Sequence, residues 1–137
     1  MWSFLASAEH LDGDVYIVQE HGIRQPQLGA TATIAAKNGF ELIAGPLDET
    51  DHSGVGVLIK KPGRGQDMSN ISEEGRQARA QGRLLICRVD TAKGYEAVLV
   101  SVYCWSGEND KGHLRDRTNA LLRAMRIELK ALSKYPV

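Results

Sequence analysis

The sequence predicts an α+β fold in which helices pack on the outside of β-sheets, and three observations support this prediction. Residues 83–89 and 96–104 are almost continuously apolar, which is typical of strands that are covered on both faces. Residues 114–133 repeat apolar side chains at steps of three and four, which indicates an amphipathic helix. The elements follow the order helix, strand, helix, several strands and helix, and 137 residues fit one domain, 1–137.

Composition and charge describe a folded chain with no global attraction to polyanions. Hydrophobic residues make up 42% and charged residues 25%, which excludes the composition of disordered proteins. Seventeen Lys and Arg balance seventeen Asp and Glu, so binding to nucleic acid requires a local patch. No apolar run approaches the roughly 20 residues that span a bilayer, so we expect an intracellular protein without a membrane partner. Cys87 and Cys104 lie in apolar runs and are predicted to be buried free thiols.

The first half of the chain predicts three strands and a helix. Residues 14–20 form an apolar run that ends in polar residues, which indicates a buried strand whose C-terminal end reaches the surface. A helix is expected over 24–38, because an Asn-Gly pair closes its series of apolar positions. Strands are expected over 40–44 and 54–61, and Pro62-Gly63 ends the second of them.

The second half predicts a loop, a hairpin and the long helix. Residues 66–79 are polar and show no strong period, so we expect a loop there. The segment 90–95 between the two apolar strands carries polar residues and glycine, as hairpin turns do. The helix over 114–133 is predicted to pack through Leu121, Met125 and Leu129. Its exposed basic side consists of Arg115, Arg123, Arg126 and Lys130.

Two side chains stand at predicted strand ends. Glu20 ends the first strand, where layered α/β proteins place ligands and hard cations, although a Glu at a strand end is also commonly just solvated. Tyr103 ends the strand over 96–104 and either offers its hydroxyl to a site or packs as a core aromatic with an exposed tip. The four histidines show no metal-ligand spacing, and the chain has no Walker-type phosphate loop.

Three segments, taken in order and spacing, resemble the endonuclease/exonuclease/phosphatase superfamily. They are the strand over 14–20 that ends in Gln19-Glu20, the Gly-Val strand over 53–60, and residues 98–103, which precede a loop and Arg117-Thr118-Asn119. The apurinic-endonuclease-like domains of non-LTR retrotransposons look most similar, because a Tyr-x-Trp or Tyr-x-Pro strand end and an Arg-bearing helix recur there. The resemblance implies a partial four-layer α/β/β/α sandwich, truncated in its C-terminal half and lacking the first strand.

The resemblance also implies a function for both strand-end residues. Glu20 matches the glutamate that binds Mg²⁺ or Mn²⁺ in this family, and Tyr103 matches the tyrosine whose hydroxyl lies near the scissile phosphate. A hard divalent ion takes oxygen ligands and neutralises the charge that develops on the phosphate. We therefore expect Glu20 and Tyr103 to lie at the same rim of the sandwich in a common polar depression, with no ion pair from a Lys or Arg to Glu20.

The set of catalytic residues implied by the resemblance is incomplete. The family's metal-site Asn, its Gly-Asp-x-Asn strand and its Asp-His pair have no match in the sequence. We expect a fragment of a metal-dependent phosphodiesterase or endonuclease, inactive alone, whose substrate is nucleic acid or another phosphate ester. The alternative is a non-catalytic binding or scaffold module, or a degenerate copy, that holds a phosphate-bearing partner through Lys60, Lys61 and Arg64 or through the basic side of the long helix.

Overall fold

The computed structural model describes residues 13–45, 53–69, 71–105 and 113–133. Within these ranges the strands are β1 (Val15–Gln19), β2 (Phe40–Ala44), β3 (Val55–Lys60), β4 (Arg64–Asp67), β5 (Leu84–Asp90) and β6 (Glu96–Val102). The helices are α1 (Leu28–Lys37), which follows a 3₁₀ turn over Gln25–Gln27, α2 (Glu73–Ala80) and α3 (His113–Leu132). All five predicted strands and the two predicted helices after the first strand are found, whereas the helix predicted before it lies outside the described residues.

Two antiparallel three-stranded sheets form the centre of the fold. The first has the strand order β1-β3-β2 and the second the order β4-β5-β6. A hydrogen bond of 2.9 Å from Gln19 Nε2 to the carbonyl oxygen of Val102 joins the last residue of β1 to the last residue of β6. The two sheets are therefore stacked with these strand ends side by side, and we call this end of the sandwich the rim.

The sheets pack face to face and helices cover their outer faces. One buried cluster lies between the sheets and consists of Val55, Val57, Ile59, Leu85, Cys87 and Val89. Side chains alternate along a strand, so the intervening residues face the helices. Leu58 packs with Phe40 and with Ala35 of α1, and Leu84 and Ile86 pack with α2 and α3. The layers are α/β/β/α, which confirms the predicted α+β fold class.

Helix α3 covers the second sheet through the side that its period predicts. Leu121 and Leu132 are buried, and Met125 and Leu129 are partly buried against the same cluster. The basic side is exposed, as expected, at Arg115, Arg123, Arg126 and Lys130. Among the helices of the described ranges, none is long and apolar enough to cross a membrane.

A buried carboxylate joins α3 to α2. Glu128 of α3 is 0% exposed, and its Oε1 accepts a hydrogen bond of 2.6 Å from the backbone N–H of Ile71. Its Oε2 accepts bonds from the backbone N–H of Ser72, at 2.7 Å, and from the Ser72 hydroxyl. Gly75 leaves the space that the carboxylate occupies, because a Cβ there would overlap Glu128 Oε2. A negative charge at a helix N-terminus is favoured by the helix dipole, so Glu128 fixes α2 against α3.

The prediction of a loop over 66–79 is wrong, since this segment contains the end of β4 and all but the last residue of α2. Ser72 caps α2 by accepting a bond of 2.9 Å from the backbone N–H of Gly75, and Glu73 and Glu74 follow in the first turn. The buried residues of α2 are Gly75 and Ala78. These are too small to produce a visible apolar period, which is why the pattern missed the helix.

Strand β6 is less covered than its apolar sequence predicted. It is an outer strand of the second sheet, and Val98 is 43% exposed. Burial of Cys104 was also predicted and is wrong, because this residue is exposed beyond the end of β6, whereas Cys87 is buried between the sheets. An apolar run identifies a strand, but its burial depends on which strands lie beside it.

Candidate active site

Glu20 and Tyr103 meet at the rim. The hydroxyl of Tyr103 donates a hydrogen bond to Oε1 of Glu20, across 83 positions of sequence. Glu20 directly follows β1 and Tyr103 directly follows β6, so the neighbouring ends of these strands bring the two side chains together. The structure therefore places both predicted site residues at one rim, as the resemblance implied, and each of them contacts the other.

The backbone at Glu20 adopts a conformation that most side chains avoid. Its φ angle is 52°, in the left-handed region, which is uncommon for residues other than glycine. The preceding residue, Gln19, is held by its bond to Val102 across the two sheets. Strained backbone of this kind is concentrated at functional sites, and here it occurs at the residue whose carboxylate contacts Tyr103.

His21 anchors the segment that follows Glu20. Its side chain is buried, its Nε2 lies 3.0 Å from the carbonyl oxygen of Gly45, and its Nδ1 accepts a bond of 2.9 Å from the backbone N–H of Ile23. This pattern fits the neutral ring with the proton on Nε2. Burial lowers the pKa of His21, although the bond to Gly45 opposes the shift. The imidazole is thus a structural anchor, and it holds the chain on the C-terminal side of Glu20.

Arg83, which directly precedes β5, contacts both the ring and the backbone of Tyr103. This residue is 3% exposed, and its guanidinium carbon lies 4.6 Å from the ring centre of Tyr103 and 4.3 Å from that of Trp105. Its Nη1 donates to the carbonyl oxygens of Tyr103 at 3.2 Å and Cys104 at 3.3 Å. A cation near aromatic ring faces is attracted to them, so Arg83 holds residues 103–105 in place through both rings and two backbone carbonyls.

The charge of Glu20 is not neutralised by a basic side chain of the described ranges. Its side chain is exposed, and the ion pairs there involve Asp14, Asp67, Glu73 and Glu96. A carboxylate oxygen is the ligand type that Mg²⁺ and Mn²⁺ prefer, and Mg²⁺ is commonly held by one or two carboxylates with several waters. The Glu20 carboxylate is therefore a suitable type of ligand for a hard cation. No group of three or more His, Cys, Asp and Glu in the described ranges could surround a metal ion.

A cleft opens beside the rim, between α2 and α3. It has a volume of about 540 Å³, and Trp105, two residues beyond Tyr103, forms part of its wall with Arg117. Its lining includes neither Glu20 nor Tyr103, so the common polar depression expected for these two residues is not this cleft. Arg83 connects the two places, because its guanidinium contacts the rings of both Tyr103 and Trp105.

The sequence did not single out Arg83, it used Trp105 only as part of the Tyr-x-Trp strand end, and it treated His21 only as one of several scattered histidines. One signal was available for Arg83, which directly precedes the apolar run of β5 and is therefore placed at a strand end. The roles of His21 and Trp105 depend on contacts with residues distant in sequence, which a pattern along the chain does not contain.

The fold is similar to that of solved nuclease structures. The catalytic domain of APE2 from Xenopus laevis aligns with a TM-score of 0.63 and 14% identity, over 96% of this chain and 49% of that one. The AP endonuclease LMAP from Leishmania major aligns with a TM-score of 0.62 and 19% identity, over 90% of this chain and 42% of that one. This chain spans less than half the length of either structure. No protein-family model and no curated protein matches the sequence.

Proposed function

We propose that this chain forms the Glu20–Tyr103 part of a metal-dependent phosphodiesterase or endonuclease site. The observation that carries the proposal is the hydrogen bond between the Tyr103 hydroxyl and Glu20 Oε1, which joins two side chains that the sequence resemblance assigned to one site. The similarity of the fold to an AP endonuclease supports it. The further assignment, to the apurinic-endonuclease-like domains of non-LTR retrotransposons, rests on the sequence resemblance and is part of the proposal.

The chemistry proposed for the site follows from the two side chains. When bound, Mg²⁺ or Mn²⁺ supplies a positive charge that stabilises the negative charge developing on the phosphate in the transition state. Glu20 would hold this ion through a carboxylate oxygen, and its exposure leaves the carboxylate accessible from solution. The Tyr103 hydroxyl orients the carboxylate, and its one proton would be donated to a phosphate oxygen in place of Glu20 when a substrate binds. Arg83 and His21 are positioning residues in this proposal.

We further propose that the 137 residues do not turn over substrate on their own. One carboxylate and one phenol supply neither a full coordination shell nor a base for an attacking water. With Mg²⁺ and a duplex that contains an abasic site, the purified chain is expected to give no product on a denaturing gel. Mg²⁺-dependent cleavage that Glu20→Gln abolishes would contradict this expectation.

Metal binding at Glu20 tests the proposal directly. Mn²⁺ is titrated into ¹⁵N-labelled protein, and broadening of the amide signals of Glu20, His21 and Tyr103 is expected because the ion is paramagnetic. Glu20→Gln should abolish the broadening. Glu41→Gln is the matched control, since Glu41 pairs with Ile59 of β3, the residue that pairs with Val15 at the end of the sheet away from the rim. Unbroadened signals in the wild type, or loss of broadening in both variants, would overturn the proposal.

A further inference from the structure

The basic side of α3 forms one straight stripe. Arg115, Arg123, Arg126 and Lys130 are all exposed, and at 3.6 residues per turn they fall within one side of the helix. We call these four residues the α3 stripe. From the first to the last, the stripe covers about 22 Å at a rise of about 1.5 Å per residue. It is a continuous row of positive charge on a chain whose formal net charge is zero.

Acidic side chains do little to neutralise the α3 stripe. The helix contains two of them: Asp116 is exposed beside the stripe but forms no ion pair within the described residues, and Glu128 is buried and committed to the N-terminus of α2. None of the four stripe residues forms an ion pair with another residue of the described parts of the chain. The stripe therefore presents the local patch that binding to a polyanion requires.

The cleft between α2 and α3 adjoins the α3 stripe. Arg123 belongs to the stripe and also lines the cleft, and Trp105 and Arg117 line it too. The guanidinium of Arg117 is 5.9 Å from the ring centre of Trp105. Gln77 of α2 and Gln81, the residue after this helix, add amide groups to the opposite wall, which also carries the carboxylate of Glu74. An aromatic ring, cations and amides beside a row of positive charge match the chemistry of a nucleobase attached to a phosphate backbone.

We propose that this surface binds a single strand of nucleic acid, with its phosphates along the α3 stripe and one base in the cleft against Trp105. Proteins that bind single strands combine a basic track with aromatic rings on which bases stack. A membrane surface fits less well, because insertion needs large apolar side chains beside the cations and the exposed neighbours of the stripe include Asn119 and Ala120. The choice of a phosphodiester ligand rests on the function proposed above. The α3 surface adds a second contact with that ligand, away from Glu20.

Fluorescence anisotropy of labelled oligothymidylate tests the stripe, in EDTA so that no metal contributes. Replacing Arg123, Arg126 and Lys130 together by Gln is expected to weaken binding about tenfold or more and to reduce the slope of log K against log salt by about 2. The matched control replaces Lys60, Lys61 and Arg64 by Gln, which removes the same charge from another exposed surface. Unchanged affinity in the α3 variant, or an equal loss in both, would overturn the proposal.

Fluorescence of Trp105 tests the base in the cleft. In a Trp2→Phe background, oligothymidylate is expected to quench Trp105, whereas inorganic polyphosphate of equal charge is expected to leave the emission unchanged and to bind more weakly. Equal affinity for the two polyanions, or stronger capture by phosphatidylserine vesicles, would overturn the proposal. A parallel titration with oligouridylate identifies whether DNA or RNA is preferred.

The Glu20→Gln variant keeps this proposal separate from the proposed function. Its affinity for oligothymidylate in EDTA should equal that of the wild type, because Glu20 lines neither the stripe nor the cleft. In the wild-type protein, absence of Mn²⁺ broadening together with oligonucleotide binding would overturn the metal site and keep the surface. Mn²⁺ broadening in the wild type without oligonucleotide binding would keep the metal site and overturn the surface.

Discussion

Replacing Glu128 by Ala should destabilise the fold strongly, because this buried carboxylate satisfies three donors at the start of α2. They are the backbone N–H groups of Ile71 and Ser72 and the Ser72 hydroxyl. A hydrogen bond to a charged group contributes about 1.5–3 kcal/mol, and local relaxation recovers part of the loss. We expect the free energy of unfolding to fall by about 3–5 kcal/mol, because each of the three donors left unsatisfied costs about 1–3 kcal/mol before it relaxes or binds water.

Urea denaturation measures this loss. The urea concentration at the midpoint should fall while the slope m stays constant. The slope depends on the surface that unfolding exposes, and this substitution leaves that surface nearly unchanged. Thermal unfolding should shift by about 10–20 °C for a chain of this size. The matched control is Glu74→Gln on the exposed side of α2, which should change the free energy by no more than about 0.5 kcal/mol. Equal losses in the two variants would refute the role assigned to Glu128.

Gly75 provides a sharper test, because whether Gly75→Ala raises or lowers the free energy of unfolding depends on Glu128. In the wild type, Gly75→Ala should destabilise, since the added Cβ would overlap the Glu128 carboxylate. In the Glu128→Ala background the overlap is gone, and Gly75→Ala should stabilise by about 1 kcal/mol through helix propensity. The same sign in both backgrounds would refute the packing described for α2 and α3.

Three further predictions concern the rim and the inner core. Burial lowers the pKa of His21 below its usual 6.5, so the unfolded state binds more protons and stability should fall as the pH drops through 6.5; a pH series of urea midpoints should show this loss in the wild type and not in His21→Asn. Gly54 has a φ of 117° and a Cβ there would lie 2.6 Å from His21 Cε1, so Gly54→Ala should lower the free energy of unfolding by about 2 kcal/mol or more in the same assay. Burial raises the pKa of the Cys87 thiol to about 11, so iodoacetamide at pH 8 should modify exposed Cys104 first, and equal labelling by peptide mass analysis would contradict this.

Strong local patterns in the sequence were sufficient to predict most of the sandwich. The helix over 114–133 and the strand over 54–61 carry large apolar residues at a clear period, and the structure contains both as α3 and β3. Helix α2 was not predicted because its buried residues, Gly75 and Ala78, add little hydrophobicity to the sequence pattern. Its start was nevertheless encoded by Ser72 and the acidic residues after it, which are signals of a helix N-terminus.

The candidate site was predictable only in part. A resemblance of strand-end residues indicated Glu20 and Tyr103, and the structure brings their side chains into contact. The positioning by Arg83 was not predictable, because it needs the distance from the guanidinium to rings twenty or more positions away. The left-handed backbone at Glu20 was equally hidden, since no glycine marks it. Local patterns identify candidates, whereas tertiary contacts decide how they are held.

A double-mutant cycle on Glu20 and Tyr103 tests the central claim most directly, namely that β1 and β6 bring these side chains into one site. Urea unfolding is measured without metal for the wild type, Glu20→Ala, Tyr103→Phe and the double variant, because a Gln at position 20 would still accept the Tyr103 hydroxyl. A coupling energy of about 0.5–1.5 kcal/mol is expected for this exposed hydrogen bond. Losses that add within about 0.3 kcal/mol would show that the two side chains do not interact, and would contradict the account.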